Sequence, residues 1–127
     1  MQRQVINAEN APAAVGGYAQ AVAVSGATRT LYVSGQIPVD AEGRCPEGFA
    51  EQCRLAWRNV LAQLAAADMT VENLAKVTIF LSDRRFAQEN RAIRAEMLGS
   101  HQPALTVIIT GIFDEAWLLE IEAVAVA

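Results

Sequence analysis

The sequence predicts a single α+β domain in which one sheet carries two helices on one face. Three observations lead there. The run from Phe49 places apolar side chains at helical spacing, several short segments are rich in β-branched residues, and 127 residues have room for one core but not two.

Taken in order, Gln20–Ser25 and Thr30–Ser34 read as two short strands, and Gly26-Ala27-Thr28-Arg29 between them has a length that suits a hairpin turn. Gly35 to Gly48 contains Pro38 and Pro46 and reads as a loop. Phe49, Cys53, Ala56, Trp57, Val60, Leu61 and Leu64 then fall on one helical face, with Glu51, Arg54, Arg58 and Gln63 mostly on the other. That helix is expected to end near Ala67-Asp68, with Trp57 packed in a core or interface. Lys76–Leu81 has the β-branched and aromatic content of a strand. Ser82 or Asp83 offers an N-cap for a second helix carrying Phe86, Ile93 and Met97, and Gly99 ends it. Pro103 precedes a strand from Leu105 to Thr110, and a last strand runs from Trp117 to about Val126. The expected order is β-β-α-β-α-β-β, one domain over residues 1–127, with no repeat or low-complexity tract.

Composition narrows the function. A net charge of −4 and an isoelectric point near 4.9 leave no basic stripe with which to neutralise a nucleic-acid backbone. Arg84, Arg85, Arg91 and Arg94 form one local basic patch, expected to be a solvated helix face. Cys45 and Cys53 are too few for a disulfide framework and lack metal-ligand spacing, and Cys53 falls on the apolar helix face. Met1-Gln2-Arg3-Gln4 has no apolar run behind it, so no signal peptide is expected. No stretch approaches the roughly 20 apolar residues of a membrane span. A cytoplasmic protein that does not engage membranes is the expectation. The hydrophobic fraction of 53% and mean hydropathy of +0.20 are high for so small a chain, which points to subunit contacts.

The last strand brings chemistry into view. Side chains alternate, so Leu118, Glu120, Glu122 and Val124 share one face while Leu119, Ile121 and Ala123 share the other. Two carboxylates on one face of an apolar strand are costly unless solvated or paired. That face either opens to water or lines a polar cleft between subunits. His101, in the loop before Pro103, is expected to shape the turn.

Five segments carry a family resemblance: Ala11 to Val22 (APAAVGGYAQAV), Tyr32-Val33-Ser34-Gly35-Gln36-Ile37-Pro38, Lys76–Leu81, His101-Gln102-Pro103-Ala104 and Leu119-Glu120-Ile121-Glu122-Ala123. In this order and at these separations the chain resembles the RidA/YjgF family of reactive-intermediate deaminases over essentially its whole length. The resemblance implies a chorismate-mutase-like fold, usually a homotrimer whose sheets form a central barrel with a small-molecule cleft between each pair of subunits. It implies hydrolysis of imines or enamines to carbonyl compounds and ammonia without a metal or organic cofactor. Carried over residue by residue, it makes Glu120 and Tyr18 the catalytic candidates, Glu120 positioning the attacking water. Ser34, Gly35 and Asn90 join the ligand-binding set, together with positions 105 and 107.

At those two positions the chain departs from the pattern. Leu105 stands where the family's active deaminases carry the arginine that grips a substrate carboxylate, Val107 where many members carry cysteine, and Ala19 replaces the usual serine. Leu105 and Val107 point the same way on one strand. Leucine has no donors, and losing one partner of a buried, hydrogen-bonded charge pair costs about 2–5 kcal/mol. 2-Imino acids are therefore expected to be poor ligands unless another arginine reaches in, with Arg84, Arg85 and Arg91 nearest in sequence. Three functions stay open here: a hydrolytic deaminase of uncharged imines or enamines, a non-catalytic protein that binds or senses a small metabolite, and an endoribonuclease. The acidic charge balance and the lack of a histidine pair count against the last.

Overall fold

The computed structural model describes all residues, 1–127. Eight regular elements follow one another: β1 (Gln2–Ile6), β2 (Ala21–Ser25), β3 (Thr30–Gln36), α1 (Phe49–Ala66), β4 (Leu74–Leu81), α2 (Ala87–Leu98), β5 (Ala104–Ile109) and β6 (Leu119–Val126). Single 3-10 turns precede β4 and α2. The mixed α+β architecture with two helices is as expected, and the structure adds β1 in front of it.

The pairing of β2 and β3 differs from expectation. They do not form a hairpin: β2 pairs antiparallel with β1, while β3 joins a second sheet in the order β3-β6-β4-β5. The segment between them turns onto the C-terminus instead. The N–H groups of Thr28 and Arg29 both donate to the carbonyl of Ala127, at 2.8 and 3.0 Å, and the Ala127 N–H returns a bond to Arg29. The physical reason is burial. Alongside β6, Val33 sits opposite Ala123 and enters the core, whereas β2 buries no residue fully. That gain outweighs the short loop closure a local hairpin would need.

In the larger sheet β4 is parallel to β5 and antiparallel to β6, with Thr78 opposite Glu122 and Phe80 opposite Glu120. Alternation turns Val77, Ile79 and Leu81, with Leu119, Ile121 and Ala123, toward the helices, and all are buried. α1 packs across β3 and β6, and α2 lies beside α1. The apolar face read from the sequence is the face α1 buries: Phe49, Cys53, Ala56, Trp57, Val60 and Leu64 are all at or near complete burial. Trp57 is thus core. Asp83 caps the 3-10 turn Arg84–Phe86, accepting from the Arg85 N–H at 2.9 Å, so α2 starts from that turn with no side-chain cap of its own. Phe86 stacks on Phe49 with ring centroids 4.6 Å apart, which ties the turn to α1.

Gln52 is a polar residue in this core, 3% exposed. Its side-chain amide donates to the carbonyls of Pro46 and Ala116, both at 3.0 Å, and its Oε1 accepts from the Leu118 N–H at 2.8 Å. One side chain thereby pins the loop before α1 to the loop that feeds β6. His101 donates from Nε2 to the carbonyl of Leu74 at 2.7 Å, holding the turn before β5 against the start of β4.

Burial pushes the Cys53 thiol up to about 12, so almost no thiolate exists there at neutral pH. Cys45 is only partly buried. An alkylating reagent at pH 8 is expected to label Cys45 in the folded protein and Cys53 only after unfolding, as read by peptide mass mapping. Native labelling of Cys53 would contradict this packing.

Candidate functional site

The residues singled out from the sequence fall into two clusters and one isolated position. The first cluster lies on the β5 edge. The Ala19 N–H donates to the carbonyl of Pro103 at 3.0 Å, and Ala19 lies opposite Ala104 in parallel register. This bond lays the 14-residue connection between β1 and β2 along β5. It puts Tyr18 beside Leu105 and Val107 in a groove of about 340 Å³ that Val15, Gln20, Arg91 and Arg94 complete. Tyr18 and Leu105 are half-buried, and Val107 is exposed.

The second cluster surrounds Glu120 on β6. Between Val33 and Gln36 the pairing of β3 with β6 slips, a bulge in which Ser34 and Gly35 together oppose a single residue. Gly35 faces the Glu120 side chain so closely that a Cβ there would lie 2.8 Å from the carboxyl carbon and nearer still to one oxygen. Only glycine allows that approach. Glu120 is half-buried against this bulge and forms no ion pair, whereas Glu122 is exposed. Glu122, Tyr32, Ser34, Lys76 and Thr78 line a shallow depression on the face of the sheet that the helices leave uncovered. The two carboxylates therefore differ: Glu122 opens to water and Glu120 is held.

The two clusters are on opposite faces. Leu105 and Val107 are in register with Val77 and Ile79, which face the helices, while Glu120 is opposite Phe80 on the other face. One chain does not bring Glu120 to the Tyr18 groove. Asn90 lines neither the groove nor the depression. It is 2% exposed within the fold, and its Oδ1 accepts no hydrogen bond inside the chain.

Two arginines alter the reading of the groove. Arg84 and Arg85 are exposed, Arg85 lying over the Phe86 ring at 4.8 Å. Arg91 lines the groove, and so does Arg94. Arg94 is not part of a solvated face: it is 4% exposed, and its Nη2 donates to the carbonyl of Gly16 at 2.7 Å. Burial, then repulsion from Arg91, lowers its pKa below the usual arginine range, with Tyr18 acting the other way. The missed signal was positional. Asn90, Arg94 and Leu98 are spaced by four, so they share one side of α2, and all three are buried.

A small α+β domain with a bulged strand seating a carboxylate, and a groove on the opposite face at the sheet edge, defines the class of protein. A family profile described as endoribonuclease L-PSP matches residues 8–127. The chain is 38% identical to the 2-iminobutanoate/2-iminopropanoate deaminase of Rattus norvegicus over 98% of its own length and 90% of that protein. It is 34% identical to a RutC family protein of Pyrococcus horikoshii over 97% of each. Among solved structures, the Rid family protein YyfB of Yersinia pestis matches with a TM-score of 0.87 at 25% identity over the whole of both chains. E. coli TdcF, solved with bound serine, matches at 0.74 with 30% identity over 98% of each. The chain belongs to the Rid family of endoribonuclease L-PSP-like proteins.

Proposed function

We propose that this protein is a cofactor-independent hydrolase that releases ammonia from small imines or enamines in clefts between the subunits of a homotrimer. The observation that carries the proposal is the seating of Glu120 against Gly35: a half-buried carboxylate with no cation beside it, held in place by a strand bulge. Such a group can take a proton from water. Water adds to the C=N carbon while its proton passes to Glu120. The nitrogen is then protonated and leaves as ammonia, and the carbonyl forms. Tyr18 supplies a hydroxyl hydrogen bond from the other side of the cleft. The opposite-face placement of Glu120 and the Tyr18 groove supports an intersubunit cleft, since two copies packed sheet edge to sheet face would bring the clusters together. The deaminase names of the relatives and the amino-acid ligand of TdcF support a small nitrogen compound as substrate.

Imines generated in situ test the proposal. Wild type is expected to accelerate ammonia release over buffer and Glu120→Ala to lose that acceleration; no acceleration by wild type for any imine class would sink the proposal. Leu105→Arg, which puts a planar fork of donors back on β5, is expected to raise kcat/KM for 2-imino acids relative to imines without a carboxylate. Unchanged selectivity would mean that position 105 does not face the reacting molecule. A second reading, a protein that binds or senses a metabolite without turning it over, draws on Leu105 itself. Ligand density in the cleft together with absent turnover would favour it.

A further inference from the structure

Leu105 removes the strand's cation from the groove, yet the groove is not neutral. Arg94 and Arg91 sit one helical turn apart on α2 and converge on Gly16. A Cβ on Gly16 would lie 3.3 Å from Arg91 Nε and 3.5 Å from Arg94 Nη2, and the backbone there has φ +99°, a conformation glycine adopts without strain. The loop passes tightly over both guanidinium groups and uses one donor of Arg94, through the carbonyl of Gly16. No carboxylate pairs with either arginine: the chain's ion pairs join Arg44 to Asp40 and Glu42, and Arg54 to Glu51 and Glu96.

Two adjacent cations, one of them 4% exposed, are an expensive arrangement to fold without an anion. An arginine has five donors in a fixed fork, and a carboxylate matches that fork with two oxygens. The remaining walls of the groove set the aliphatic Val15, Leu105 and Val107 beside the polar Tyr18 and Gln20. Its volume of about 340 Å³ is at the small end of ligand sites. The combination selects for a short aliphatic tail attached to a negative head.

We propose that Arg94 and Arg91 form a carboxylate-binding site at the Gly16 end of this groove, and that its ligands are small aliphatic carboxylates. Arg94 is the fixed member, oriented by Gly16, and the exposed Arg91 closes on the ligand from the rim. As a statement about substrate it deepens the deaminase reading and rests on it. As a statement about binding it stands alone.

The probe is 2-oxobutanoate, which has the charge and tail but no C=N bond to hydrolyse. Calorimetric titration of the intact protein is expected to give saturable binding, with the backbone amides of Gly16 and Gly17 shifting in nitrogen-15 spectra. 2-Butanone, the same skeleton without the charge, is expected to bind at least about 30-fold more weakly. Inorganic phosphate, which has no aliphatic part, is also expected to bind more weakly than 2-oxobutanoate. Arg94→Met and the surface variant Arg91→Met should each weaken 2-oxobutanoate binding by at least about tenfold; Arg91→Met guards against a folding defect in the buried variant. The proposal is overturned if wild type does not bind 2-oxobutanoate, if the ketone or phosphate binds as well, or if folded Arg91→Met and Arg94→Met bind as wild type does. An experimental structure of the assembly with a neighbouring copy's carboxylate paired to both arginines would overturn it too. Binding without ammonia release from any imine would leave this site standing and remove the deaminase reading alone.

Discussion

Gln52→Leu, a change of little volume, is expected to destabilise the fold strongly. The substitution leaves the carbonyls of Pro46 and Ala116 and the N–H of Leu118 without their partner, in a place where Gln52 is 3% exposed. Each orphaned buried group costs about 1–3 kcal/mol, while leucine's added apolar burial returns only part of that. A net loss of about 3–5 kcal/mol is a large share of the roughly 5–15 kcal/mol that holds a domain of this size together. Urea unfolding at fixed protein concentration should show a much lower midpoint at unchanged slope. Gln63→Leu, on the exposed side of the same helix, should stay within about 0.5 kcal/mol of wild type. Equal midpoints for the two variants would mean that the loops before α1 and β6 are held by something other than Gln52. The consequence reaches the site, because Leu118 is two residues from Glu120.

Gly35→Ala is expected to have the second large effect, on activity rather than stability. The new methyl group would collide with the Glu120 side chain, whose carboxyl end can swing away. The fold survives that movement, but a catalytic group displaced by about 1 Å can cost on the order of 100-fold in rate. The expected outcome is a fall in kcat/KM of about that size with a thermal midpoint close to wild type, measured on whichever imine wild type hydrolyses. Glu120→Gln, which keeps the shape and removes the base, should fall by about 100-fold to 10,000-fold. Full activity in Gly35→Ala would show that the observed position of Glu120 is not the working one.

These expectations depend on features that were unevenly legible in the sequence. Helix α1 and strands β4, β5 and β6 could be read because their apolar residues repeat at 3.6, lie in β-branched runs or, in β6, alternate along the strand, and burial by one packed layer enforces those patterns. Strand β1, Gln2-Arg3-Gln4-Val5-Ile6, is polar and mostly exposed, so nothing in its periodicity announces it. Its existence depends on β2, which the sequence reading gave to β3. Register across β3 and β6 is set by residues about 90 apart in the chain, as with Val33 and Ala123, and local turn chemistry cannot report it.

The site was legible in part. The segments around Tyr18, Ser34, Gly35, Leu105 and Glu120 stood out through resemblance, and the structure places them in two clusters on opposite faces. The bulge that makes Gly35 and Glu120 neighbours could not be read, because a bulge is a property of a strand pair. Arg94 was hidden by its type. An arginine on a helix is usually solvated, and here the turn from Gly16 folds over it and takes one of its donors. Gln52 was hidden in the same way, inside an otherwise apolar helix face.

Ammonia released per chain from an in-situ imine, followed for wild type and Glu120→Gln under the same conditions, tests the central claim most directly. Catalysis by this site predicts many ammonia molecules per wild-type chain and, for folded Glu120→Gln, a rate lower by at least about 100-fold. Release at the buffer rate in both, or equal turnover in both, would contradict it.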